Sequence, residues 1–194
     1  FIQSLILVNY FSWFINSLLD LTFLRNISVF LILCLSFYVI MRLYNNKRLL
    51  CFILLFFVLA SLSSPTFHWD ARSVWLYTSK LIFFDQGLFY LQQNYSPIHK
   101  AIAYPILGPT LAASFAEFIG HWNEVFPKFF SIILSIPGLI YLNFFIKKKI
   151  SFYIYAFIIF FILEKSLIIG EMDGIVAVYF TVCVLISYQL FNKE

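Results

Sequence analysis

The sequence predicts an all-α polytopic membrane protein, a transmembrane helix bundle with a large outer loop that carries amphipathic interfacial helices. Three observations predict it. The 194-residue chain is 62% hydrophobic and only 11% charged, with a mean hydropathy of +0.92. Several apolar windows approach the ~20 residues a helix needs to cross a bilayer. The basic residues stand in short clusters between those windows, where they act as orientation signals. A transmembrane barrel would need alternating segments of about ten residues, and the sequence has none. The net charge of +4 therefore points to topology and not to a nucleic-acid partner.

Taken in order, residues 5–23 are apolar but interrupted by Asn9, Asn16 and Asp20, which fits either a span or an interfacial helix. Residues 27–43 form a cleaner span that runs into Arg42, Lys47 and Arg48, and residues 49–63 form a short uncharged one. Pro65 then breaks the helix. From 65 to 124 the composition changes, with charges spread among Trp, Tyr and Phe and with Gly and Pro marking turns. Within this first outer loop, 73–84 places Val74, Tyr77, Leu81 and Phe84 on one helical face. That stretch and 109–119 are expected to lie along the membrane surface. Residues 125–146 are a span with a kink expected at Pro137 and Gly138, closed by Lys147, Lys148 and Lys149. Residues 152–169 return, carrying Glu164 and Lys165, residues 170–174 are a tight polar turn, and 175–191 is the last span.

The whole of 1–194 reads as one transmembrane domain. It begins with Phe and shows no signal-peptide pattern, so it is expected to be the N-terminal part of a longer protein and inactive in isolation. The positive-inside rule places Arg42, Lys47 and Arg48, the lysines 147–149 and the terminal Lys193 in the cytoplasm and both 65–124 and 170–174 outside. Cys34, Cys51 and Cys183 all fall inside spans without metal or redox spacing, so they read as packing residues. No cluster has metal-ligand spacing, and no Gly-rich phosphate loop is present.

Two carboxylates draw the chemistry. Asp70 follows one apolar run and Asp173 precedes another, and an acid beside a membrane span is a functional-site candidate. Topology puts both on the outer side, where a pair of acids can act as general base, metal ligands or substrate anchors. Arg72, Lys80, His99 and Lys100 on the same loop offer positive charge for an anion. Simpler readings stand beside these. Asp173 suits a helix N-terminus, Lys80 a snorkelling side chain and Lys128 a span-end anchor, and Glu171 could take the role of Asp173.

The segments HWDARSVWLYTSKLIFFDQG (68–87), AYPILGPTLAASFAEFIGHWNEVFPKFFS (103–131) and GEMDGIVAVYF (170–180) together resemble the integral-membrane C-type glycosyltransferases, which include protein O-mannosyltransferases and the aminoarabinose transferase of lipid A. The likeness covers roughly residues 50–191. Asp70 matches the family's first-loop acid, Tyr104, Pro105 and Pro109 its Pro-containing segment, Lys128 the basic residue that opens the next span, and Asp173 a later acid. The chain departs from the family at Ala103, where an Asp precedes Tyr-Pro, and at Ala71, where the mannosyltransferase branch has Glu.

The resemblance implies transfer of a sugar from a polyprenyl-phosphate donor to an acceptor hydroxyl or amine. The acceptor would be a lipid, glycan or protein, and the reaction would take place at the extracytoplasmic face of a bacterial plasma membrane. It gives Asp70 the role of general base, with Asp173 supporting it, and gives substrate binding to Lys80, His99, Lys100, Arg72 and Tyr104. A divalent metal stays open. The alternatives are a transporter or flippase of lipid-linked sugars, which would place charges near the bilayer midplane, and a non-catalytic membrane subunit.

Overall fold

The computed structural model describes residues 1–16, 19–46, 48–66, 68–88, 105–145, 154 and 170–191. Among them all regular structure is helical. The helices are α1 (Ile2–Ile15), α2 (Thr22–Asn46), α3 (Arg48–Ser63), α4 (Leu76–Asp85) preceded by a π-helical turn (Ala71–Trp75), α5 (Leu107–Ile119), α6 (Phe129–Phe145) and α7 (Asp173–Phe191).

The expected segment 5–23 is not one helix. The 14 residues of α1 span about 21 Å, short of the ~30 Å hydrocarbon core. The chain turns at the polar residues between α1 and α2. Asn16 donates to the Gln86 carbonyl and accepts from Arg25 and the Leu21 amide, while Asp20 accepts the Thr22 amide at 3.0 Å as α2 begins. Hydrogen bonding from the Thr22 side chain, then from its amide, with Arg25 adding a weaker attraction, holds the exposed Asp20 carboxyl below its ordinary range. Among the described residues two stretches are long and apolar enough to cross a membrane, Thr22–Arg42 and Asp173–Phe191.

The helices around Asp70 also depart from expectation. The buried side of α4 is Leu76, Thr78, Ser79 and Ile82, whereas Tyr77 and Phe84 point outward. A helix apolar nearly all round carries no single face in its pattern, and here the small polar residues turn inward. Nor is α5 peripheral: Gly108 to Ala116 are all buried, and α5 packs against α1, α2, α4 and α6. Its stretch of Ala, Ser and Thr lets neighbouring backbones approach closely.

In α6, which starts only at Phe129, Pro137 sits inside a continuous helix and removes one amide donor. The Tyr179 hydroxyl of α7 donates to the nearby Leu134 carbonyl at 2.9 Å. Gly138 lies where a Cβ would come within 2.5 Å of Val178 Cγ1, so the α6–α7 crossing depends on its missing side chain. Lys147, Lys148, Lys149, Glu164 and Lys165 lie outside the described residues.

One apolar core joins α1, α2, α3, α5, α6 and α7, and a smaller one joins Trp13, Ile82, Leu88 and Ala113. The exterior is apolar as well, with Phe30, Phe37, Phe52, Phe180 and Phe191 all exposed. Among the described residues the cysteines are free, Cys34 and Cys183 exposed and Cys51 buried.

Candidate functional site

The site forms where the chain leaves α3 and where it enters α7. After Pro65 the backbone runs through His68, whose carbonyl accepts the Arg72 amide at 3.1 Å. It then winds into the π-helical turn 71–75, which closes with the Leu76 amide on the Ala71 carbonyl. A π-turn inserts one residue into the helical ladder and commonly marks a functional position. Here it directly follows Asp70 and sets the rotation of Asp70 relative to α4.

The opposite wall is the turn 170–172. Gly170 adopts φ +94, a left-handed conformation open to glycine without steric cost. It turns the backbone so that Glu171 points inward and is buried. The Glu171 carboxylate meets His68 Nδ1, an ion pair when the imidazole is protonated. Met172 packs beside the start of α5, where a Cβ on Gly108 would come 2.9 Å from its sulfur and 2.8 Å from Phe130. The first turn of α5 is thereby drawn up to the same corner.

His68, Asp70 and Glu171 form one group, with a ligating atom of each within 4.8 Å of the others. Glu171 is buried and the other two are accessible to solvent. One imidazole and two carboxylates are a donor set that suits a divalent cation such as zinc or manganese with positions left open. They equally suit proton transfer between an acceptor group and a carboxylate.

Of the residues expected from sequence, Asp70 is in this group. Asp173 is not: it is exposed at the first position of α7, and Glu171 stands across from Asp70 in its place. Arg72 and Lys80 are exposed on the π-turn and α4. His99, Lys100 and Tyr104 lie outside the described residues. Sequence reasoning passed over His68. Its signal was a histidine two residues before the acid, in a stretch otherwise aromatic.

Lys128 is neither a span-end anchor nor accessible: it is 1% exposed. Its ammonium donates to the Ser61 carbonyl at 3.0 Å and to the Ser64 carbonyl. Burial pushes its pKa below lysine's usual range, with Glu124 opposing.

A second polar assembly lies apart from the site. Arg25, fully buried, makes a two-pronged ion pair with Glu117 at 2.6 Å and stacks 4.0 Å over the Trp13 ring. Trp13 donates to Ser114 at 2.7 Å, Ser114 to Asn9 at 2.8 Å and Asn9 to Ser28 at 2.9 Å. This network ties α1, α2 and α5 together and contributes no group to the His68 cluster.

No family model, no curated protein and no solved structure matches the chain.

Proposed function

We propose that the protein carrying this chain is a membrane glycosyltransferase that moves a sugar from a polyprenyl-phosphate donor to an acceptor hydroxyl or amine. We place the reaction at the extracytoplasmic face of a bacterial plasma membrane. The observation that carries the reading is the convergence of His68, Asp70 and Glu171, from two distant segments, beside an apolar exterior.

In this reading Asp70 takes the proton from the acceptor as its oxygen or nitrogen attacks the anomeric carbon. The bond from that carbon to the phosphate oxygen breaks, and polyprenyl phosphate leaves with the electron pair. The His68–Glu171 pair holds the imidazole in place beside the acid. Arg72, two residues from Asp70, and Lys80, further along α4, both exposed, supply positive charge for the phosphate, and charge stabilisation of this kind often dominates catalysis. His99, Lys100 and Tyr104 complete substrate binding, and Asp173 at the start of α7 supports the acceptor side. The donor set also fits a divalent metal held by His68, Asp70 and Glu171, which would supply Lewis-acid stabilisation of the leaving phosphate.

A transporter would place charges along the middle of its spans. Arg25, the buried cation of the described ion pair with Glu117, sits instead in the first turn of α2. The test is sugar transfer by the full-length protein in nanodiscs supplied with polyprenyl-phosphate sugars. Asp70→Asn is expected to lower the rate by about 10²–10⁴-fold, the usual worth of a positioned general base, with folding and insertion unchanged. Equal rates for the two proteins would remove Asp70 from the mechanism. No transfer with any donor would favour the transporter or the non-catalytic subunit.

A further inference from the structure

Lys128 occupies a place that neither its sequence context nor the proposed chemistry accounts for. A lysine costs free energy to bury unless its ammonium is well partnered, yet this one is 1% exposed. Its partners are backbone carbonyls at the end of α3, those of Ser61 and Ser64. The last carbonyls of a helix lack intrahelical donors and carry partial negative charge. A lysine reaching them satisfies both.

The other end of the same side chain does something different. Gly170 packs against its stem, a Cβ built on Gly170 lying 3.5 Å from Lys128 Cγ and 3.8 Å from Lys128 Cβ. Gly170 immediately precedes Glu171, and Ser64 stands four residues before His68 and six before Asp70. Lys128 itself is held from below, since its carbonyl accepts the Ser131 amide at 3.2 Å and the Ser131 hydroxyl at 3.0 Å. One buried side chain, rooted at the start of α6, therefore touches both segments that deliver the cluster.

We propose that Lys128 is a positioning residue that sets the separation between the His68/Asp70 segment and Glu171. Its ammonium fixes the exit of α3 and its methylenes seat the Gly170 turn. It touches no substrate, being enclosed. The proposal rests on reading His68, Asp70 and Glu171 as the site, but it concerns their geometry and not the reaction they serve.

A direct disulfide needs Cα atoms within about 7 Å, a closer approach than contact between two long side chains requires, so the separation is read with a reagent that bridges two thiols through a short spacer. The chain is made with Cys34→Ser, Cys51→Ala and Cys183→Ser, then His68→Cys and Glu171→Cys, and is treated in lipid nanodiscs with a bis-methanethiosulfonate whose spacer matches the reach of the His68–Glu171 contact. With Lys128 present the 68–171 cross-link is expected to form readily. With Lys128→Met the rate is expected to fall about tenfold, because bridging by a short spacer depends steeply on distance, in protein that still elutes as a monodisperse species with unchanged tryptophan fluorescence. Lys128→Gln, whose amide keeps N–H donors for the α3 carbonyls, is the second variant and is expected to fall between the two.

Cross-linking at the parent rate in either variant would overturn the role of Lys128. Aggregation of both variants would overturn it too, by making Lys128 a requirement of the fold at large. Absence of the cross-link even with Lys128 present would overturn the juxtaposition itself, and the site reading with it. A protein that cross-links as expected yet transfers no sugar would uphold Lys128 and count only against the glycosyltransferase.

Discussion

At the scale of single residues, the charged groups in the interior are few among the described residues, and each has a partner. Arg25 and Glu117 are buried together, an arrangement in which losing one partner costs more than losing both. Removing a single member of a buried pair commonly costs about 3–5 kcal/mol, whereas replacing both with apolar residues is often near neutral. Arg25→Met should therefore lower stability by an amount in that range, and Arg25→Met with Glu117→Leu should recover most of it; denaturant titration in detergent would measure both. Lys128 has a different signature. Its folded-state pKa lies below the ordinary 10.5 because burial disfavours the ammonium. Between the lowered folded value and 10.5 the unfolded chain binds more protons, so this group makes stability rise with pH across that window. Below the folded pKa the cost of burying the charge is present in full. Lys128→Met should flatten that alkaline rise, a change visible in melting temperatures recorded from neutral pH upward.

At the scale of elements, close approach decides the packing. The α6–α7 crossing has no room for a side chain at Gly138, where a Cβ would meet Val178. Gly138→Leu should destabilise the chain by about 1–3 kcal/mol, the usual cost of overpacking. Val178→Ala added to it should restore part of the loss, and a thermal melt of the single and double variants checks both. The π-turn before α4 works through rotation. One extra residue in a helical ladder turns the residues before it by about 100° relative to those after it, which is how Asp70 can face Glu171 while Ile82 and Ser79 face the core. Periodicity in the sequence placed Val74, Tyr77, Leu81 and Phe84 together, but Tyr77 and Phe84 are exposed. With apolar residues on every side of 73–84, the pattern of hydropathy could not identify the inner face.

At the scale of the whole molecule, the apolar exterior is the property with the widest consequence. Cys34 and Cys183 stand within the two described helices long enough to cross a membrane, and both are exposed. If those helices lie in lipid, neither thiol meets water, and maleimide chemistry needs the thiolate. A charged, membrane-impermeant maleimide should leave both unlabelled in intact membranes and label them after denaturation in detergent. Rapid labelling in intact membranes would refute the spanning assignment of that helix.

The sequence by itself determined the helical class, the helix break at Pro65, the turn at Gly170 and a helix that begins soon after Asp70, but not the turn at Asn16, which it read through as part of 5–23. These follow from local composition: long apolar runs, and the few polar, Gly and Pro residues that interrupt them. It also marked 170–174 as a polar turn that carries an acid. Only the tertiary structure decided that Glu171 and not Asp173 meets the Asp70 segment, that His68 joins them, that α5 is central and that Lys128 is enclosed. Each of these depends on how one helix is rotated and seated against another. Two positions apart at the entrance of α7 separate a residue in the turn from one on the helix, facing different ways. A chain apolar on nearly all its faces does not record that rotation locally; close contacts at Gly108, Gly138 and Gly170, far apart in sequence, fix it.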